Sequence, residues 1–364
     1  MCARVTEPFN TCMIDLPSIF EEFCIQNGID TDIYNYPQKQ YFYTECPSSE
    51  IEQDAVGREG KAVPCETLQT LQYFYHVSNT NTFQFSTSAL YQSGKLLPMD
   101  LSSGMAVHLL DILPTDHVLD LCCAPGGKLI LASSIQSRGM EKDFFNTPER
   151  IGTVTGVDLS VNRLSTCRSL LKKYQVQCAR LYCADGTTFS EPIKRFSRAN
   201  SLKNCNAESN LKVFHETTAF RKRPTELIEA QYDKVLVDAQ CTHDGSIKHI
   251  RKHAENDWKG FDLTQFEPES LTKLHELQLA LLENGFKMLK SGGILVYSTC
   301  SLSRGQNEEI IDKFVRKYEG KVEYLPFEGS NEKAQLRLCP PNFDSGFFIC
   351  RITRRVWEYE SLSK

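Results

Sequence analysis

The feature that most constrains this chain is a rhythm in its second half, where short apolar runs alternate with helical segments and most runs end in an aspartate. His117–Leu121 is an apolar strand that contains Asp120 and leads into a glycine-rich turn and a helix over Leu129–Ser137. Gly152–Asp158 is a strand followed by a helix over Ser160–Tyr174. Val176–Ala184 is a strand closed by Asp185, and Tyr232–Val237 one closed by Asp238. A long helix over Leu271–Leu289 stops at Ser291-Gly-Gly293, and a strand over Ile294–Ser298 follows. Arg304–Tyr318 reads as a helix and Gly346–Ile352 as a late strand. Such alternation predicts an α/β fold with a mostly parallel sheet covered by helices on both faces. Sheets of this kind bind ligands beyond the carboxyl ends of their strands. Asp120, Asp158, Asp185, Asp238 and the Cys300 region gather at that edge.

The segment before this rhythm reads differently. Residues 1–90 are expected to form a small, mainly helical region, with apolar Leu16, Ile19, Phe20, Phe23 and Cys24 at helical spacing and Gly28 as a stop. Residues 91–356 form the main domain, and 357–364 a tail. A polar stretch of about 190–230 interrupts the main domain with Lys194, Arg195, Arg198, Lys203 and Arg221-Lys-Arg223. A loop of that length is expected to be a solvated insert or an RNA-facing one.

Composition narrows the class. No apolar run approaches the roughly 20 residues that span a bilayer, and residues 1–10 lack the layout of a signal peptide. A cytoplasmic or nuclear protein is expected, with an organellar address left open. The 15 cysteines are scattered and include no CxxC pair, which predicts reduced thiols rather than disulfides or a zinc site. Net charge is −5, with residues 1–60 carrying −8 and the remainder +3. A mildly basic body is compatible with a local nucleic-acid patch without requiring one.

Two sets of residues carry chemistry. In Asp120-Leu-Cys-Cys-Ala-Pro-Gly-Gly-Lys128 small residues sit where a strand turns into a helix, so backbone amides can approach a ligand. The pattern is not GxGxxG, which disfavours a dinucleotide. Asp158 suits a ribose diol and Asp185 an adenine amino group, so the ligand expected is an adenosine-containing small molecule. The second set is Val237-Asp-Ala-Gln-Cys-Thr-His-Asp-Gly245 and Tyr297-Ser-Thr-Cys-Ser301. Each puts a cysteine just past an apolar strand at the same sheet edge, which makes Cys241 and Cys300 a candidate pair.

Together these segments resemble the Nol/Nop/Sun (RsmB-like) family of RNA cytosine-5 methyltransferases. Asp120–Lys128 is similar to the family's DxCAAPGGK motif, Asp238-Ala-Gln-Cys241 to its DAPC motif and Ser298-Thr-Cys-Ser301 to its TCS motif. Gly94–Gly104 and Asp344-Ser-Gly-Phe-Phe348 resemble two further family segments, and the likeness covers roughly residues 90–355. The resemblance implies a Rossmann-like S-adenosylmethionine methyltransferase fold with a seven-stranded sheet. It implies S-adenosylmethionine held by Cys123, Ala124, Pro125, Gly126, Gly127, Lys128, Asp158, Arg163, Asp185 and Asp238. It also implies Cys300 as nucleophile toward carbon 6 of a cytosine, Cys241 assisting product release, Asp238 at the cytosine edge and Lys128 against the target nucleotide. A thiolate fits because carbon 5 is a poor nucleophile until carbon 6 is substituted. The expected partner is tRNA or rRNA, with no membrane, no resident metal, and a monomer as the default state.

This chain departs from the pattern at Gln240, where the family has proline, at Thr242-His243-Asp244-Gly245, where Ser-Gly or Thr-Gly is common, and at Met99-Asp100. His243 raises the question of an added proton-transfer role beside an ordinary structural one. Lys248, Arg251 and Lys252, with His249 and His253, follow closely and suit either RNA phosphates or a solvated face. Two rival readings are an inactive relative that only binds RNA or a partner, and a methyltransferase acting on another atom. Retention of Cys300, Cys241 and Asp238 speaks against the first.

Overall fold

The computed structural model describes residues 14–65, 71–78, 83–138, 152–191, 212–217, 231–341 and 343–356. In chain order the N-terminal part comprises α1 (Ser18–Asn27), β1 (Gln40–Tyr43), α2 (Ser48–Gln53), α3 (Ala55–Arg58), β2 (Ala62–Pro64), β3 (Phe74–Val77), α4 (Ala89–Gln92) and β4 (Leu97–Pro98). Helix α1 stops where expected. Gly28 adopts φ 63° and its N–H reaches the carbonyls of Cys24 and Ile25, a left-handed cap that glycine takes without strain.

Helix outweighs strand over residues 1–90, but the expectation did not include the three short strands there, which join β4 in an antiparallel sheet of order β2-β3-β1-β4. Each strand is only two to four residues long, too short for its alternation to stand out in sequence. The pairing is driven by aromatic rings from distant segments: Phe42 lies opposite Tyr75 and Tyr43 opposite Phe74, with the Phe42 and Tyr75 rings stacked at 5.4 Å.

The main domain continues with α5 (Leu101–His108), β5 (His117–Asp120), α6 (Gly127–Ser137), β6 (Thr153–Asp158), α7 (Val161–Lys173), β7 (Ala179–Cys183), β8 (Lys212–Glu216), β9 (Tyr232–Asp238), α8 (Ile247–Ala254), α9 (Pro268–Met288), β10 (Leu289–Thr299), α10 (Glu308–Lys317), β11 (Val322–Tyr324), β12 (Gln335–Leu338) and β13 (Phe347–Arg354). The sheet order is β11-β13-β10-β9-β5-β6-β7-β8. Strands β10, β9, β5, β6 and β7 are mutually parallel, and β13 runs antiparallel between β10 and β11. These seven strands are the expected α/β sheet of a Rossmann-like methyltransferase. Two more widen it. β12 pairs with Phe347–Cys350 of β13, beside the stretch that β11 covers, and β8 adds to β7. β8 lies within the 190–230 stretch expected to be loop; Lys194, Arg195, Arg198, Lys203 and Arg221–Arg223 lie outside the described residues.

Alternation along the strands sorts the core into two layers. Val118, Val154, Leu181, Leu236 and Val296 pack with Leu131, Leu164 and Leu171 under α6 and α7. Leu119, Val157, Val235, Val237 and Tyr297 pack with Leu282, Phe286, Ile311 and Phe314 under α9 and α10. A third cluster joins Phe20, Phe23 and Tyr34 to Ile247, Ile250, Phe266 and Leu302, so α1 rests on α8 and on the segment that follows it. The strand order reverses between β5 and β9, and the crevice at such a reversal is where the fold leaves room for a ligand.

Candidate active site

At the carboxyl edge of β5, β6, β7 and β9 lies a cleft of about 380 Å³, inside the range of roughly 300–1,000 Å³ usual for small-molecule sites. Of the residues expected to hold a cofactor, Ala124, Pro125, Lys128, Asp158, Arg163, Asp185 and Asp238 line it. Cys123 does not. Its side chain is buried in the core, and a Cβ at Gly156 would stand 2.7 Å from its sulfur. Neighbouring Cys122 faces the cleft instead. Gly126 and Gly127 are also absent from the lining. Gly126 caps α6 with φ 111°, and a Cβ there would meet the Cys167 sulfur at 2.7 Å, so glycine is what lets α6 lie close to α7.

Asp158 organises the turn. Its carboxylate accepts hydrogen bonds from the amides of Ala124 at 3.2 Å and Ser160 at 2.9 Å, and Arg163 sits 3.5 Å away. Arg163 also donates to the Ala124 carbonyl. Asp185 accepts from the Thr187 amide and hydroxyl at 2.8 and 2.7 Å. These acceptors fit an adenosine group, since carboxylates at two successive strand ends suit hydroxyl and amino donors.

On the other side of the cleft, Lys128 donates to Asp238 at 2.8 Å, and the Ser298 hydroxyl donates to the other Asp238 oxygen at 2.8 Å. Burial works against the Lys128 charge, but the carboxylate of Asp238 outweighs it and raises the ammonium above its ordinary range. Asp120, at the end of β5, is fully buried and pushed up to about 7, by burial first and by the charge of Asp238 next.

The two cysteines meet as expected. Cys241 and Cys300, 59 residues apart, place their sulfurs 3.3 Å from one another. Their hydrogen bond and His243 draw Cys241 down to about 6, while the same hydrogen bond and burial push Cys300 up. The pair therefore gives up one proton readily and holds the second, behaviour that belongs to both sulfurs together. His243 Nδ1 lies 2.8 Å from the Cys300 sulfur and 3.9 Å from that of Cys241. Cys241, His243 and Cys300 keep their donor atoms within 4.8 Å of one another. The 3.3 Å sulfur spacing is that of a hydrogen bond, shorter than the roughly 3.8 Å that 2.3 Å tetrahedral zinc–sulfur bonds impose. His249 and His253 pack edge to face at 4.6 Å and both lie against Phe261, which is an aromatic cluster.

Sequence reasoning missed the buried frame that holds the Cys241 loop. The Gln306 side chain accepts from the Thr242 amide at 3.1 Å and donates to the Thr242 hydroxyl at 2.8 Å. Gln278 donates to the Gln240 carbonyl at 2.8 Å, which ties down the backbone where the family's proline is missing. Asp244 accepts from the Leu302 amide at 2.7 Å, and the Tyr34 hydroxyl donates to the Asp244 carbonyl at 2.9 Å. The Gly245 amide donates to the Cys300 carbonyl at 2.9 Å, locking the two cysteine loops together. Gln278 of α9 and Gln306 in the turn before α10 are both fully buried.

The twelve described cysteines are all free thiols, as the scatter of cysteines predicts. No described helix is long and apolar enough to cross a membrane.

Residues 196–353 match the family model of the 16S rRNA methyltransferase RsmB/F. Ribosomal RNA small subunit methyltransferase B of Yersinia pseudotuberculosis is 25% identical over 267 residues, covering 73% of this chain and 48% of that protein. The tRNA (cytosine(34)-C(5))-methyltransferase of Drosophila melanogaster is 28% identical over 217 residues, covering 60% and 24%. The chain thus spans a quarter to a half of the length of these curated relatives. Among solved structures, NSun6 from Pyrococcus horikoshii with SFG superposes with a TM-score of 0.64 at 15% identity, covering 95% of this chain and all of that one. A methyltransferase homolog protein from the same organism gives 0.64 at 20% identity, with 94% and 96% covered. The two likenesses show a shared fold. The paired sulfurs and the Asp238–Cys241 and Ser298–Ser301 motifs all fall within residues 196–353, the segment that matches the RsmB/F methyltransferase model.

Proposed function

We propose that this protein methylates carbon 5 of a cytosine in RNA. The observation that carries the reading is the pair of sulfurs 3.3 Å apart, one of them lining the cleft beside the Lys128–Asp238 pair. Asp158, Asp185, Arg163 and the Ala124–Lys128 turn would hold S-adenosylmethionine, which supplies an electrophilic methyl group when bound. Cys300 as thiolate adds to carbon 6 of the cytosine, and this makes carbon 5 electron-rich enough to react. Asp238 and Lys128 hold the N3 and amino edge of the base, offering acceptor and donor from a single ion pair. Cys241, against the Cys300 sulfur, takes part in the proton movements that release the product. A base must leave its stack to reach thiols at this depth, so single-stranded or flipped cytosine is the substrate form. Curated relatives named for rRNA and tRNA methylation support RNA as the partner.

Trapping of the adduct tests this. Cys241→Ala incubated with RNA and S-adenosylmethionine should accumulate a covalent protein–RNA species that survives denaturation, and Cys241→Ala with Cys300→Ala should not. A Cys300→Ala protein that still methylates cytosine would overturn the reading. Bisulfite sequencing of RNA from cells lacking the protein then identifies the target.

A further inference from the structure

We propose that His243 is a third catalytic residue, which takes the proton of the Cys300 thiol and holds the nucleophile as half of a thiolate–imidazolium pair. The proposal deepens the function argued above and rests on it for its use. His243 is where this chain departs from the family pattern, yet the fold aims it at the reacting sulfur. Its Nδ1 lies 2.8 Å from Cys300 Sγ, and the ring lines the same cleft.

The placement is built rather than incidental. His243 adopts φ 56°, a left-handed conformation that costs a residue with a Cβ and needs support from its surroundings. That support comes from both sides. Thr242 is fixed by Gln306, and Asp244 by Leu302 and Tyr34, so the loop can hold His243 over the sulfur pair in one orientation. An imidazole on a solvated loop would have no such frame.

The charges around the ring favour its protonated form. Negative groups face the ring from Cys241 and Asp238, and from the buried carboxyl of Asp244, and the hydrogen bond with Cys241 leads in raising the pKa of the imidazole. Neighbouring His249, with ring centroids 5.6 Å apart, is lowered by burial and by His243, so the positive charge sits on His243 rather than on its neighbour. In the resting pair the hydrogen bond with Cys241 and burial raise Cys300, and the charges of Cys241 and Asp238 add to this, while Lys128 on the far side favours the thiolate. Without the imidazolium, Cys300 would have only Lys128 to offset its burial, and Lys128 is tied to Asp238.

The step balances. The Cys300 S–H bond breaks, its proton moves to Nδ1, and the electron pair left on sulfur forms the bond to carbon 6. When the product leaves, that pair returns to sulfur and the imidazolium can hand the proton back.

Alkylation of Cys300 by iodoacetamide, followed by peptide mass spectrometry across a pH series, tests the pair without RNA or cofactor. His243→Asn is the variant of choice, because asparagine tolerates a left-handed backbone and cannot take the proton. In the wild type Cys300 should alkylate rapidly at neutral pH. In His243→Asn its profile should move to higher pH, with the rate at pH 7 falling about tenfold or more, as one pKa unit requires. Cys241→Ser, which keeps the imidazole, should retain the acidic profile. An unchanged profile in His243→Asn would overturn the proposal, as would an alkaline shift in Cys241→Ser alone. Should the asparagine variant fail to fold, nitrogen-15 NMR of the wild-type imidazole decides, since a neutral His243 ring at pH 7 would sink the idea. An alkaline shift in a protein that methylates no RNA would leave the pair standing and reject the proposed function instead.

Discussion

Asp120 shows at the scale of one residue how the site weighs on stability. Its carboxyl is buried, faces the charge of Asp238 and titrates at about 7, against roughly 4 for a free aspartate. In the unfolded chain the proton leaves near the lower value, so between the two the unfolded state binds fewer protons and stability falls as pH rises. Such a displacement corresponds to on the order of 4 kcal/mol once pH exceeds the folded value. Asp120→Asn keeps an acceptor for the Cys122 amide and removes the titration. Its stability relative to wild type should therefore rise by a few kcal/mol between pH 4 and pH 8, read from urea unfolding at both. A difference that does not change with pH would mean Asp120 is already ionised in the fold. Acids at strand ends were legible because position along an apolar run is a local property. Which of two adjacent cysteines faces the ligand was not. A single step across the turn reverses the side on which a residue points, so Cys122 took the place expected of Cys123.

Elements succeed or fail to show in sequence according to whether their partners are near. The helices over 161–173 and 268–288 carry long apolar stripes and were read to within a few residues. The β1–β4 sheet was invisible because no strand of it has a pattern of its own, and its faces become apolar only when Phe42 meets Tyr75 and Tyr43 meets Phe74. The same packing extends to α5. Gly104 lies on α5 where a Cβ would stand 2.1 Å from Cζ of Phe74, a ring that is almost wholly buried. Gly104→Ala should gain up to about 1 kcal/mol of helix propensity. It should lose about 1–3 kcal/mol by forcing the ring aside. The net expectation is a lower Tm, with Phe74→Leu partly restoring it in the double variant. Additive effects of the two changes would show that the helix and the ring are not in conflict. The buried glutamines and Asp244 that frame the catalytic loop were hidden for a related reason: each is an ordinary polar residue until the fold removes its water.

Charge is a property of the whole molecule, and here the total misleads. A net of −5 argues against nucleic acid, but the −8 carried by residues 1–60 is unevenly placed. Glu21 and Glu22 of α1, with Asp30 and Asp32 just after it, sit in the layer packed beside α8, whose Lys248 and Lys252 are exposed. Attraction for a polyanion is then confined to a small area, and the surrounding acids turn away a backbone that approaches elsewhere. Arg251 on the same helix is committed to the Tyr36 carbonyl at 3.0 Å, which leaves Lys248 and Lys252 to meet phosphates from α8. Removing one lysine–phosphate pair should reduce the slope of log affinity against log salt by about 0.7 for single-stranded RNA. Lys248→Ala with Lys252→Ala should therefore weaken RNA binding by a similar factor for every sequence and flatten the slope by about 1.4. Fluorescence anisotropy over a salt series reads both quantities on one sample. A weakened affinity with an unchanged slope would place α8 away from the phosphates and leave RNA recognition to another face.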